Sequence, residues 1–202
     1  MARVLWFSGK TADALAALER ARADQEALAA TPGASREARR DLAETASLIS
    51  YVLSAMGKLA EAEVEFRTAL KIQQKLADEN PAVTEFREGL AASHRLLGNV
   101  VWWTGKLAEA EAEHRTALAL YQKLADEKPA VTLFRRNVAN TREWLGGMLL
   151  PAAGKLAEAE AQCRSGIAIT QKLVDENAAV AGVPQAPGHR PHEPRQAAVA
   201  GG

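Results

Sequence analysis

Residues 58–79, KLAEAEVEFRTALKIQQKLADE, return at residues 106–127 as KLAEAEAEHRTALALYQKLADE, identical at 17 of 22 positions. A looser third copy, KLAEAEAQCRSGIAITQKLVDE, occupies residues 155–176. Glycine precedes each copy at Gly57, Gly105 and Gly154, and an earlier Gly9-Lys10 pair makes the spacings 48, 48 and 49 residues. The segments between the copies repeat as well: NPAVTEFREGLA at 80–91 faces KPAVTLFRRNVA at 128–139. Self-similarity at a fixed period of this length is the mark of a solenoid, in which each unit buries its apolar face only by stacking on its neighbours.

Each period reads as two helices. In residues 106–127, Leu107, Ala110, His114, Ala117, Leu118, Tyr121 and Leu124 fall at the i, i+3, i+4, i+7 spacing of one helical face. Glu109, Glu113, Arg115 and Lys123 lie off that stripe, on the solvated side. The other helix of the period is expected to open at Pro81 or Pro129, with Asn80 as the N-cap of the first. Val83, Phe86, Leu90, Leu97 and Val101 form its apolar stripe, and Gly105 is placed to end it in the left-handed conformation. The 49-residue spacing puts one extra residue near Pro151, predicting a bend or bulge at the end of that helix.

A Gly-Lys pair before a helix also raises the question of a phosphate loop. The Walker pattern needs a glycine five residues upstream and Ser or Thr after the lysine. Val4 stands upstream of Gly9-Lys10-Thr11, and Leu follows the lysine at the other three sites, so the pattern fails at all four.

Composition agrees with helices. Of 202 residues 48% are hydrophobic but only 5% aromatic, and Ala and Leu dominate, which suits close helix packing over a β-sandwich. Lys plus Arg and Asp plus Glu both number 25, so no net field selects nucleic acid or an acidic membrane surface. Cys163 is the single cysteine, which leaves no intrachain disulfide. No apolar run approaches the ~20 residues of a membrane span, MARVLWFSGK is too short in its apolar part for a secretory signal, and the cytoplasm is the expected compartment.

AASHRLLGNVVWWTGKLAEAEAEHRTALALYQ, residues 91–122, resembles the tetratricopeptide repeat through Leu97-Gly98, Gly105, Glu109-Ala110 and Ala117-Leu118. The second helix runs on through YQKLADE, making the unit longer than the usual 34 residues. Such long units look like the arrays of kinesin light chains and of some bacterial signalling proteins. The resemblance implies an all-α, right-handed solenoid of antiparallel helix pairs. It covers residues 1–177, with units near 1–30, 33–79, 81–127 and 129–177, about seven long helices in all. Gly98, Ala110 and Ala117 would let two helices approach, and Ser50 replaces the glycine of one unit. The Pro- and Gly-rich residues 178–202 read as a disordered tail, with PxxP spacing at Pro184–Pro187 and Pro191–Pro194.

Internal copies separate scaffold from site. His114 aligns with Phe66 and Cys163, so its slot is read as core; His94 aligns with Ala46 and Arg142, at a rim. Two histidines without a third ligand make a poor zinc site, and no nucleophile, base and orienting group stand together, so neither an enzyme nor a cofactor is expected. The resemblance implies an inner groove lined by first helices. There Arg95, Asn99, Trp102 and Trp103 are the candidate contacts for a peptide or partner helix, with Asn140, Glu143 and Trp144 offered by the next unit. Exposed ends of the array, the helix of residues 155–176 above all, are the alternative: self-assembly into a homo-oligomer.

Overall fold

The computed structural model describes residues 11–31, 33, 35–152 and 154–180. The expected opening stub and most of the expected tail lie outside these residues. Among those described there are seven helices and no strand: α1 (Thr11–Ala29), α2 (Arg36–Ala55), α3 (Leu59–Glu79), α4 (Thr84–Trp103), α5 (Leu107–Glu127), α6 (Thr132–Leu149) and α7 (Leu156–Val180). Each helix packs on the next in sequence, which is the solenoid arrangement the period predicts. The last helix runs past the expected boundary at residue 177.

Glycine and lysine make every turn between a first and a second helix. Gly57, Gly105 and Gly154 have φ of 77°, 81° and 77°, a conformation from which a Cβ is sterically repelled. In the turn after α4 the Gly105 N–H donates to the Trp102 carbonyl at 2.9 Å and the Lys106 N–H to the Val101 carbonyl at 2.9 Å, pairing carbonyls that the helix end leaves open. The lysine carbonyl then accepts the first bond of the next helix, from Ala62, Ala110 or Ala159. No side chain caps the start of α3 or α5, so the helix starts there are set by backbone geometry.

The prolines act differently from the expectation. Pro81 lies in a turn, and α4 begins three residues later at Thr84. The Val83 N–H donates to the Asn80 carbonyl at 2.9 Å, closing a turn in which proline's fixed φ suits the second position. Asn80 is not an N-cap; it ends α3, its side-chain amide donating to the Leu76 carbonyl at 3.0 Å. The 128–131 turn repeats this, with Val131 donating to Lys128 at 3.0 Å. Near Pro151 the extra residue is absorbed after the helix, which stops at Leu149, two residues short of the length of α4.

The core follows the repeat. Ala62, Ala110 and Ala159 are fully buried at one equivalent position, where small side chains let helices close in. Phe66 and His114 fill the slot four residues on, and Cys163 is half-buried there. Leu76, Leu124 and Leu173 are buried near the helix ends. Leu107, placed on the apolar stripe by its spacing, is exposed, because it is the first residue of α5 and lies beyond the reach of the neighbouring helix.

Charged pairs repeat with the same period. Lys106 donates to Glu63 of the preceding unit at 2.6 and 2.8 Å, and Arg67 bridges Glu63 at 2.8 Å and Glu109 at 2.5 Å. One unit later Lys155 donates to Glu111 at 2.8 and 2.7 Å, and Arg115 bridges Glu111 and Glu158. Burial pushes the Glu63 carboxyl up, but hydrogen bonds from Lys106 and Arg67 outweigh it and hold the group below its usual range. For Glu111 the Lys155 hydrogen bond is the largest influence, and that carboxyl too is lowered. Within units, Arg39–Glu79, Arg87–Glu127 and Arg135–Glu176 form a second series, each at 2.7 Å. The lysine of each later Gly-Lys motif is therefore a clasp between units.

Candidate functional site

The first helices α2 and α4 of adjacent units touch one another directly. Between α4 and α6 lies an open pocket of about 430 Å³. Arg95 and Trp102 from α4 and Asn140, Glu143, Trp144 and Met148 from α6 line it. Arg95 and Trp102 are seven residues apart, two helical turns, so both point toward the next unit.

The two indoles meet edge to face, with ring centroids 6.2 Å apart and planes at 78°, an arrangement aromatic quadrupoles favour. Behind them the His114 ring lies almost parallel to Trp144, centroids 6.3 Å apart. His114 is fully buried, neither ring nitrogen has a hydrogen-bond partner, and burial followed by the nearby Arg95 charge pushes its pKa down to about 4. The imidazole is therefore neutral at physiological pH and serves as the floor under Trp144.

The Arg95 guanidinium lies close to the hydroxyls of Tyr51 and Tyr121 and acts on both. Burial raises both phenols, and the arginine opposes it. The two tyrosines, from α2 and α5, flank the cation at the pocket wall without neutralising it. Their role was not visible from the α4 sequence, because the contact joins three helices. It was nevertheless traceable through the aligned columns: Tyr51 occupies the position of Asn99, and Tyr121 belongs to the buried stripe of α5.

The four residues expected to act together divide. Arg95 and Trp102 share the pocket, whereas Asn99 and Trp103 are not among its lining. Asn99 is half-buried, with Oδ1 enclosed and unpaired. Trp103 is exposed, having turned about 100° around the helix from Trp102. The histidines also divide: His94 Nδ1 lies 2.6 Å from Glu113 Oε2 on the α4–α5 surface, while His114 is sealed behind Trp144. Among the described residues no three His, Cys, Asp or Glu side chains converge as a metal cage. No described helix is long and apolar enough to cross a membrane.

The family model for the tetratricopeptide repeat matches residues 37–82, which comprise nearly all of α2, the Gly-Lys turn and α3. No curated protein matches the chain. Among solved structures, the crystal structure of BtubC (BKLC) from P. vanneervenii is 14% identical, with 97% of this chain and 84% of that one covered and a TM-score of 0.48.

Proposed function

We propose, from the tetratricopeptide-repeat match at residues 37–82 and the repeated helix pairs, that the chain is a non-catalytic scaffold that takes a peptide or partner helix on its inner face. Such repeats generally mediate interactions between proteins, and the all-helical fold is typically non-catalytic. One observation carries the finer reading: a pocket between two units brings two tryptophans together with an arginine flanked by neutral hydroxyls. Trp and Arg are the residues most often found at the energetic centres of protein interfaces. The indoles supply flat apolar area for an aliphatic or aromatic side chain, and Arg95 supplies donors for a carboxylate next to it.

Arg95 and Trp102, with Trp144 added from α6, are the principal contacts in this reading. Asn99 and Trp103 are secondary, at the edge of the same helix. The test is selection from a random peptide library displayed on phage, followed by Kd measurements on the enriched peptides. Trp102→Ala and Arg95→Ala should each weaken the selected peptides at least tenfold, and Trp103→Ala should change them little. Peptides that bind all three variants as tightly as the wild type would place the binding surface elsewhere.

A second reading, self-assembly through the ends of the array, has its own support in the outer face of α7, where Ile167 and Val174 are exposed.

A further inference from the structure

The interior units show what normally covers a second helix. On α3 and α5, Leu70 and Leu118 are partly buried and Ala77 and Ala125 are buried, because the next unit packs over them. The equivalents on α7 are Ile167 and Val174, which are 62% and 55% exposed. The ionic clasp is half-made at the same end. The Glu63 and Glu111 side chains are 11% and 16% exposed beneath the lysine of the following unit, whereas Glu160, their counterpart, is 56% exposed. It has only Arg164 of its own helix, at 3.7 Å.

The opposite half of a clasp is unfilled at the other end. Lys58 and Glu61 correspond to Lys106 and Glu109, which reach back to Glu63 and Arg67. The preceding helix α1 has Leu15 and Glu19 at those two positions, so Lys58 pairs only with Glu61 beside it, at 3.2 Å. Arg22 replaces the apolar Leu70, Leu118 or Ile167. Only Ala14 and Leu18 of α1 are buried, and Leu28 is exposed where Leu76 and Leu124 are enclosed. Helix α1 covers the α2–α3 face through Ala14, Leu18 and an Arg22–Glu65 pair at 2.7 Å, without the Glu and Arg that interior units place opposite Lys58 and Glu61.

We propose that α7 of one molecule docks on the α2–α3 face of a second copy of this chain, in the place α1 holds. There Glu160 and Arg164 of the first copy meet Lys58 and Glu61 of the second, and Ile167 and Val174 are covered. That docking displaces α1, with loss of the Arg22–Glu65 pair at 2.7 Å and of the cover over Ala14 and Leu18, and the contacts that replace it have precedents at α3–α4 and α5–α6. The junction is head-to-tail, so each added copy leaves one donor end and one acceptor end, giving a chain of molecules or a ring. This inference rests on the self-assembly reading and is independent of the pocket between α4 and α6.

The test is the mass of the full chain by light scattering after size-exclusion chromatography, over a range of loadings. It compares the wild type, Glu160→Lys with Arg164→Glu, Lys58→Glu with Glu61→Lys, and a 1:1 mixture of the two variants. Each double variant keeps its own intrahelical pair with signs reversed, and circular dichroism confirms that helicity is retained. The expected result is a wild-type mass that rises with concentration, monomers for each variant alone, and recovery of association in the mixture. A wild type that stays monomeric at every loading overturns both the inference and self-assembly, as it would if residues 181–202 of the same chain covered α7. Association that neither variant weakens, or that only the α7 variant weakens, overturns the head-to-tail junction while self-assembly stands.

Discussion

Replacing His114 by Phe should make the protein more resistant to acid, by an amount the burial of the imidazole fixes. The ring is fully enclosed, both nitrogens lack partners, and its pKa is pushed down to about 4 from an ordinary 6.5. Above pH 6.5 the histidine is neutral folded or unfolded, and its titration costs nothing. As the pH falls below 6.5 the unfolded chain takes up the proton that the folded chain refuses, so stability is lost until the folded ring titrates near pH 4. Integrating between these values, the loss from pH 7 to pH 5 is about 2 kcal/mol. For an array of this size that is roughly 4–8 °C of melting temperature. Phe occupies the equivalent slot as Phe66, packed edge to face on Tyr51 at 5.6 Å, so the repeat accepts the replacement. The packing change is the same at both pH values, and the His94–Glu113 pair is present in both proteins, so both cancel from the pH-dependent difference. Urea unfolding of wild type and variant, followed by circular dichroism at pH 7 and pH 5, reads it directly. If the two proteins lose equal stability between those pH values, His114 is not held neutral by burial and the account of the slot fails.

Other substitutions probe the remaining parts of the repeat. At Gly98 a Cβ would come within 2.6 Å of the enclosed His114 ring, so Gly98→Ala should cost about 1–3 kcal/mol from overpacking, offset by up to about 1 kcal/mol of helix propensity. A neutral or stabilising result in thermal melts would mean that the ring can turn aside as Phe66 does beside Ser50. Gly105→Ala should lose about 1–2 kcal/mol through its φ of 81° alone, since nothing lies within 4 Å of the new methyl; unchanged melting would contradict a turn locked in the left-handed region. Glu63→Gln should cost on the order of 1 kcal/mol near neutrality, discounted for its half-exposed cationic partners. Because the folded-state pKa of Glu63 is lowered, that difference should be present above the ordinary carboxyl range and shrink as the pH falls through the lowered value; a gap that widens in acid would refute the clasp.

The fold was legible because identical strings at a constant period must occupy identical environments, and Gly57, Gly105 and Gly154 mark the turns by a conformation few other residues take. The local proline signal was ambiguous. Asn80-Pro81 satisfies the rules for a helix start and for a turn alike, and the backbone bond from Val83 to Asn80 decides between them. The site was half legible. The resemblance put Arg95, Asn99, Trp102 and Trp103 forward together, but four residues on one helix cannot all face one pocket. Trp144 was put forward from the next unit beside Asn140 and Glu143, whereas Tyr51 and Tyr121 behind Arg95 depend on how neighbouring units stack. That angle is set by side-chain volumes on three helices at once, which no single stretch of sequence records.

The periodic ionic clasp has a consequence for heredity. The two later junctions are joined by residues at fixed positions within the unit, so a crossover between two copies of GKLAEAE exchanges whole units in register. Deleting residues 58–105 in this way would leave Arg39 facing Glu127 in place of Glu79 and Arg22 facing Glu113 in place of Glu65, with Ser50 still able to donate to the backbone carbonyl of Ala110 as it does to that of Ala62. Insertion of a unit preserves the pairs equally. Array length can therefore change in a single genetic step without any new interface having to be invented, and selection can count units while the chemistry of each join stays constant.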